Sequence, residues 1–213
     1  MSKTTREENI RRIIALEDRI YQCRRCKPLL RCIKKPSLGK GDLEPAIMLV
    51  FEFNSTFSAD IKNLIELRNL IKKEFGISGI YHSFMVRCQP KACTVRDTVS
   101  CYAENKLLDK ENNNCILTGK ACTGIPVRPS CEEIIACLPF LLEEIDILSP
   151  RYIIFFGERV SEFLLKSYGI FDYDIEPGSH FKYGNMILLT TVCEEKFGSE
   201  ECRQLSQVLG KNL

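Results

Sequence analysis

The chain has 213 residues, 45% hydrophobic and 27% charged, a composition that supports a compact core and excludes the low-complexity and disordered classes. Thirty basic against 28 acidic side chains leave a net charge of +2, so no global field draws the surface to nucleic acid or anionic lipid, and any such attraction must be local. The first residues, Met1-Ser-Lys-Thr-Thr-Arg-Glu-Glu, hold no apolar signal core, and the most apolar stretch, Ala46 to Phe51, is too short to span a bilayer, which predicts a cytoplasmic protein with no membrane partner.

Along the chain, Thr5-x-x-Glu8 reads as a capping box for a helix carrying Ile10, Ile13, Ile14 and Ile20. Ala46 to Glu52 is a first strand, continuously apolar as a strand buried on both faces should be. A helix from Ala59 to Phe75 follows, with Gly76 suited to its C-terminal cap, and Gly79 to Arg87 forms the second strand. From Gln89 to Pro129 no period is sustained, the mark of a functional loop or of a segment ordered by something other than a core. Ser130-x-x-Glu133 is a capping box for a helix through Ile145, expected to kink at Pro139. Tyr152 to Phe156 is the third strand, Gly157 a turn, Val160 to Tyr168 a helix, Met186 to Val192 the fourth strand and Ser199 to Leu209 the last helix. Strands separated by helices pair in parallel. The expected fold is α/β: a three-layer αβα sandwich around a four-stranded parallel sheet. It forms a single domain, 1–213, with an N-terminal helix and CxxC segment in 1–45 and a Cys-rich insertion at about 89–129.

Twelve cysteines are the compositional anomaly. In a chain with no export signal and a core of its own, metal ligation explains them better than a disulfide framework. Cys23-Arg-Arg-Cys26 sets two thiols close enough to share one metal centre, and further ligands must come from elsewhere. Cys88 lies at the carboxyl end of the second strand, where open α/β sheets place their sites, and Cys137 lies on the helix after the long loop. Both could equally be small buried side chains.

At these positions the chain resembles the iron–sulfur family 4 uracil-DNA glycosylases. Their CxxC, the motif Tyr-x-x-Asn-x-x-Lys-Cys-x-Pro, the helix motif Glu-x-x-x-Cys-x-Pro-x-Leu and a Pro-x-x-Ile strand ending in glycine are similar to four segments here. These are Cys23-x-x-Cys26, Tyr81-His82-Ser83-Phe84-Met85-Val86-Arg87-Cys88-Gln89-Pro90, Glu133-Ile134-Ile135-Ala136-Cys137-Leu138-Pro139-Phe140-Leu141 and Pro150 to Gly157. The resemblance covers most of the chain in register and implies a uracil-DNA glycosylase-like scaffold with one [4Fe–4S] cluster on Cys23, Cys26, Cys88 and Cys137. Cys131 and Cys137 are six residues apart on one helix, a turn of about 240°, so they face different directions and should not share that cluster. Cys131 instead opens the helix, at the end of a dipole that favours anions.

The groups needed for base excision do not carry over. The family's uracil-reading Asn is replaced by Phe84, its Gly-Glu-x-Pro-Gly loop by Phe51-Glu52-Phe53-Asn54-Ser55, and its catalytic His by Cys193. The catalytic candidates are reduced to Glu52 and Cys193, while His82 and His180 read as ordinary polar residues. Fold does not carry function with it. The leading expectation is therefore an iron–sulfur protein that does not excise uracil and has a redox, electron-transfer or cofactor-related role with a protein partner or complex. The alternatives are a DNA glycosylase or other base-processing enzyme acting on a non-uracil substrate, and a nucleic-acid-binding or scaffolding protein with a structural cluster. Cys93, Cys101, Cys115, Cys122 and Cys131 are candidates for a second iron–sulfur or zinc centre. Arg24, Arg25, Lys27, Arg31, Lys34 and Lys35, with no acidic residue among them, are candidates for phosphate contact, for offsetting a negative cluster, or for a solvated face.

Overall fold

The computed structural model describes residues 6–26, 36–88, 91–92, 114–120, 125–171 and 175–210. Its first element, α1 (Arg6–Gln22), buries Ile13, Leu16 and Ile20 on one stripe; Thr5, the expected cap, lies outside the described residues. The strands β1 (Lys40–Gly41), β2 (Ile47–Phe51) and β3 (Ile80–Phe84) are joined through the short α2 (Thr56–Ala59) and α3 (Ile61–Phe75). The helix expected over Ala59 to Phe75 is split because the Asp60 carboxylate accepts the Lys62 backbone N–H at 2.9 Å and starts a new helix. Gly76 closes it in the left-handed conformation, as its C-terminal position predicts.

A two-residue antiparallel pair, β4 (Lys91–Ala92) with β5 (Ile125–Pro126), brings the two ends of the insertion together. The helix α4 (Cys131–Leu148) opens on a complete capping box between Ser130 and Glu133 and continues as one helix through Pro139. The carbonyl that Pro139 leaves without an N–H donor belongs to Ile135, which is exposed and open to water. β6 (Tyr152–Phe156), α5 (Glu158–Ser167), β7 (His180–Tyr183), β8 (Met186–Thr191) and α6 (Ser199–Gly210) complete the described elements.

The main sheet has six strands in the order β1-β3-β2-β6-β8-β7, which corrects the four-strand expectation. The four expected strands are its parallel centre, and β1 and β7 add antiparallel edges to β3 and β8. The edges escaped because β1 has only two residues and β7, His180-Phe181-Lys182-Tyr183, is largely exposed and lacks the apolar run that marked the others. One face of the sheet packs Met48, Val50, Tyr81, Ile153, Phe155 and Leu188 against α1, α4 and α5. The other packs Leu49, Phe51, Phe84, Ile154 and Leu189 against α3 and α6. The chain order reverses between β2 and β6, so the topological switch point lies at the carboxyl ends of those two strands.

Candidate metal centre

The CxxC segment emerges where α1 ends, and two contacts hold it on α4. The Arg25 guanidinium donates to the Ala136 carbonyl at 3.0 Å and lies 4.8 Å from the Phe140 ring centroid. Exposed ion pairs Arg12–Asp146 and Arg19–Glu143 run along the same α1–α4 seam, contributing register more than stability. From the other side, the chain leaving β3 runs on through Met85 and Val86, whose N–H groups donate to the Phe51 and Glu52 carbonyls. Arg87 follows, and its backbone N–H donates to the Cys137 sulfur at 3.3 Å. Arg25 and Arg87 thus bring the CxxC segment and the chain just before Cys88 against α4, which carries Cys137.

Burial sets the acidity of three of these thiols. Burial pushes the Cys26 thiol up to about 11, and the neighbouring Cys137 and Cys23 add to the rise. Cys88 is pushed up to about 12 by burial and then by Cys137, Cys23 and Cys26. Cys137 is also raised by burial, partly offset by the Arg87 N–H and charge. Burial thus favours the protonated thiol at Cys26, Cys88 and Cys137. Among the described residues, no group of three or more His, Cys, Asp or Glu side chains is placed to hold a metal ion. No disulfide engages any of the four.

Beneath them lies a buried polar network that sequence reasoning missed. Glu144 of α4, 2% exposed, pairs with Arg87 and accepts the Tyr81 hydroxyl at 2.8 Å and the Ser83 hydroxyl. Burial opposes the charge of Arg87, and the Glu144 carboxylate outweighs it, so the guanidinium is held protonated. Its Nε and Nη1 have no hydrogen-bond partner among the described residues. A signal was available in the sequence: Glu144 falls on the apolar stripe of its helix, with Cys137, Leu141 and Leu148.

The catalytic candidates lie elsewhere, around the sheet's switch point. Glu52, after β2, accepts from Arg159 Nη1 at 2.7 Å and from Arg128 Nε at 3.0 Å. Arg159 also donates to the Pro129 carbonyl and, at 3.4 Å, to the sulfur of the exposed Cys131. Glu52 is therefore the carboxylate of a structural ion pair that fastens the β2 and β6 ends to the start of α4. Cys193, half-buried, sits beside Gly157. Its neighbour Glu194, also missed from sequence, is buried and accepts the Ser55 hydroxyl at 2.8 Å. Burial raises Glu194, the Ser55 hydroxyl works against the rise, and the Glu195 and Glu52 charges add to it. Phe84, at the position of the family's base-reading Asn, is buried in contact with the Phe51 and His82 rings.

Of the remaining candidates, Cys93, Cys101, Cys122, Lys27, Arg31, Lys34 and Lys35 lie outside the described residues. Cys115 is buried within a tight turn, its carbonyl accepting the Thr118 and Gly119 N–H groups. Arg24, like Arg25, donates to carbonyls of its own chain, those of Tyr21 and Cys23. No protein-family model matches this chain, and no curated protein matches it.

Proposed function

We propose that this is an iron–sulfur protein in which Cys23, Cys26, Cys88 and Cys137 hold one [4Fe–4S] cluster, on a uracil-DNA glycosylase-like scaffold turned away from uracil removal, and that it exchanges electrons with a protein partner. The observation that carries the reading is that two contacts seat the cysteine-bearing segments on α4: Arg25 of the CxxC segment donates to the Ala136 carbonyl, and the Arg87 N–H, one residue before Cys88, donates to the Cys137 sulfur at 3.3 Å. When bound, such a cluster supplies one-electron transfer. The chain's own residues divide the remaining work: Arg25 fastens the CxxC segment to α4, the Arg87 N–H orients the Cys137 sulfur, and the apolar packing of Phe140 shields one flank. A base-processing reading draws less support, because Glu52 is tied to two arginines and Phe84 is packed in the core.

Anaerobic purification followed by iron and sulfide quantitation tests the proposal. The expected result is about four irons and four sulfides per chain, with visible absorption that bleaches reversibly on one-electron reduction. Stoichiometric zinc without sulfide, or folded protein without metal, would overturn it.

A further inference from the structure

We infer that the cavity at the amino-terminal edge of the main sheet binds a small phosphorylated polyol, with Arg68 and Lys72 taking the phosphate and Asp42 and Glu44 taking the hydroxyls. Its volume, about 460 Å³, lies within the range of small-molecule sites and exceeds what an inorganic ion needs. Four segments meet there because β2 and β3 run parallel and both begin at that edge, with Ile47 opposite Ile80. The last two turns of α3 set Arg68 and Lys72 one above the other, on the flank of the stripe that buries Leu64, Leu67 and Ile71. The connection from β1 to β2 supplies Asp42 and Glu44, the turn before β3 supplies Ser78, and α1 supplies Arg6. Asn9 fastens the start of α1 to that connection, its Nδ2 donating to the Leu43 carbonyl at 2.8 Å. The cavity stands at the opposite end of the strands from the switch point and from the β3 exit that leads to Cys88, and it is independent of the cluster reading.

The charges that line this cavity are not taken up by one another. Among the described residues, no ion pair engages Arg6, Arg68, Lys72, Asp42 or Glu44. Arg68 is half-buried, and its one side-chain hydrogen bond among those residues runs from Nη2 to the Ile80 carbonyl at 2.8 Å. Burial opposes its charge, and Asp42 offsets part of that effect without pairing with it. A neutral carbonyl orients the guanidinium without neutralising it, which leaves the planar fork for a phosphate, with the Lys72 ammonium one helical turn away and Arg6 as a third cation. The carboxylates select the rest of the ligand. Asp42 is held in place by its Oδ1, which accepts the Glu44 backbone N–H at 3.0 Å. An ionised carboxylate only accepts, so the body of the ligand must bring hydroxyl donors rather than a second anion. Among the described lining residues, Ile80 is the one apolar side chain and none is aromatic, so a nucleobase would find nothing to stack on. A phosphate on an aliphatic, hydroxylated body meets all of these conditions.

The experiment is isothermal titration calorimetry of the anaerobically purified full-length protein with glycerol 3-phosphate and glucose 6-phosphate, and with inorganic phosphate and glucose as controls. At least one of the two phosphate esters should bind saturably at one site per chain, roughly tenfold or more tighter than inorganic phosphate, and glucose should give no saturable signal. Arg68→Met and Lys72→Ala should each weaken that ester by roughly tenfold or more, the cost of losing one charged hydrogen-bond donor. Asp42→Asn should shrink the preference for the ester over inorganic phosphate, because this carboxylate acts on the hydroxyls and not on the phosphate. If Arg68→Met does not fold, Lys72→Ala gives the same decision. Equal affinity for the esters and inorganic phosphate would overturn the polyol assignment. Ester binding unchanged in both Arg68→Met and Lys72→Ala, or no saturable binding of either ester, would overturn the site.

Discussion

His82 lies on β3, 5% exposed, facing the α3 and α6 side of the sheet between the Phe51 and Phe84 rings. Burial, then the positive charges of Arg68, Lys40 and Arg87, hold its imidazole down from 6.5 to about 4, and its Nδ1 has no partner among the described residues. The unfolded chain takes up a proton near the ordinary value; the folded chain resists until about pH 4. Stability is therefore complete above the unfolded value and falls as pH drops through the interval between the two. At about 1.4 kcal/mol per pKa unit the full interval is worth about 3 kcal/mol, of which about 2 should be gone by about pH 5. Urea denaturation of wild type and His82→Leu, followed by circular dichroism across that range, isolates the effect, because every other titrating group is common to both proteins. The variant should lose less stability than wild type on acidification by that amount. Parallel loss in the two proteins would refute the claim that His82 is a neutral core side chain, and would reopen a polar role for it.

Three further outcomes follow from the same geometry. Cys137→Ala should abolish the visible absorption and lower the unfolding midpoint, whereas Cys131→Ala, at an exposed sulfur on another helix face, should leave iron content and spectrum intact. Uracil-containing single- or double-stranded DNA should yield no free uracil in a gel-based cleavage assay, since Phe84 is packed in the core and cannot pair with a base edge. Gly39→Ala should destabilise by about 1–3 kcal/mol in a urea titration, because its added methyl would stand 2.6 Å from Glu144 Oε1 and closer still to the Tyr81 hydroxyl.

The parallel centre of the sheet was legible because β2 and β6 are buried on both faces, so Ile47–Phe51 and Tyr152–Phe156 read as unbroken apolar runs. The edges were not, since an edge strand such as β7 faces water and its register with β8 is set by the turn at Gly184 rather than by an apolar pattern. Helix periodicity sent Cys131 and Cys137 to different faces, and they differ as expected: one is exposed beside Arg159, the other buried beside Arg87. Periodicity could not reveal who neutralises whom. For Glu52 the sequence left a catalytic role and pairing with a basic side chain equally open, because its partners, Arg128 and Arg159, lie 76 and 107 residues away. Glu144 was visible as a charge on an apolar stripe, but nothing local says that Tyr81, Ser83 and Arg87 meet it, because those three contacts exist only once β3 and α4 pack. The two carboxylates consequently exchange importance between sequence and structure. The one at the expected catalytic position is consumed in holding strand ends together, while the overlooked one sits behind the only arginine that reaches both Cys88 and Cys137 among the described contacts. Charge placed on a helix's buried stripe is costly to keep, and it persists where another buried charge needs it.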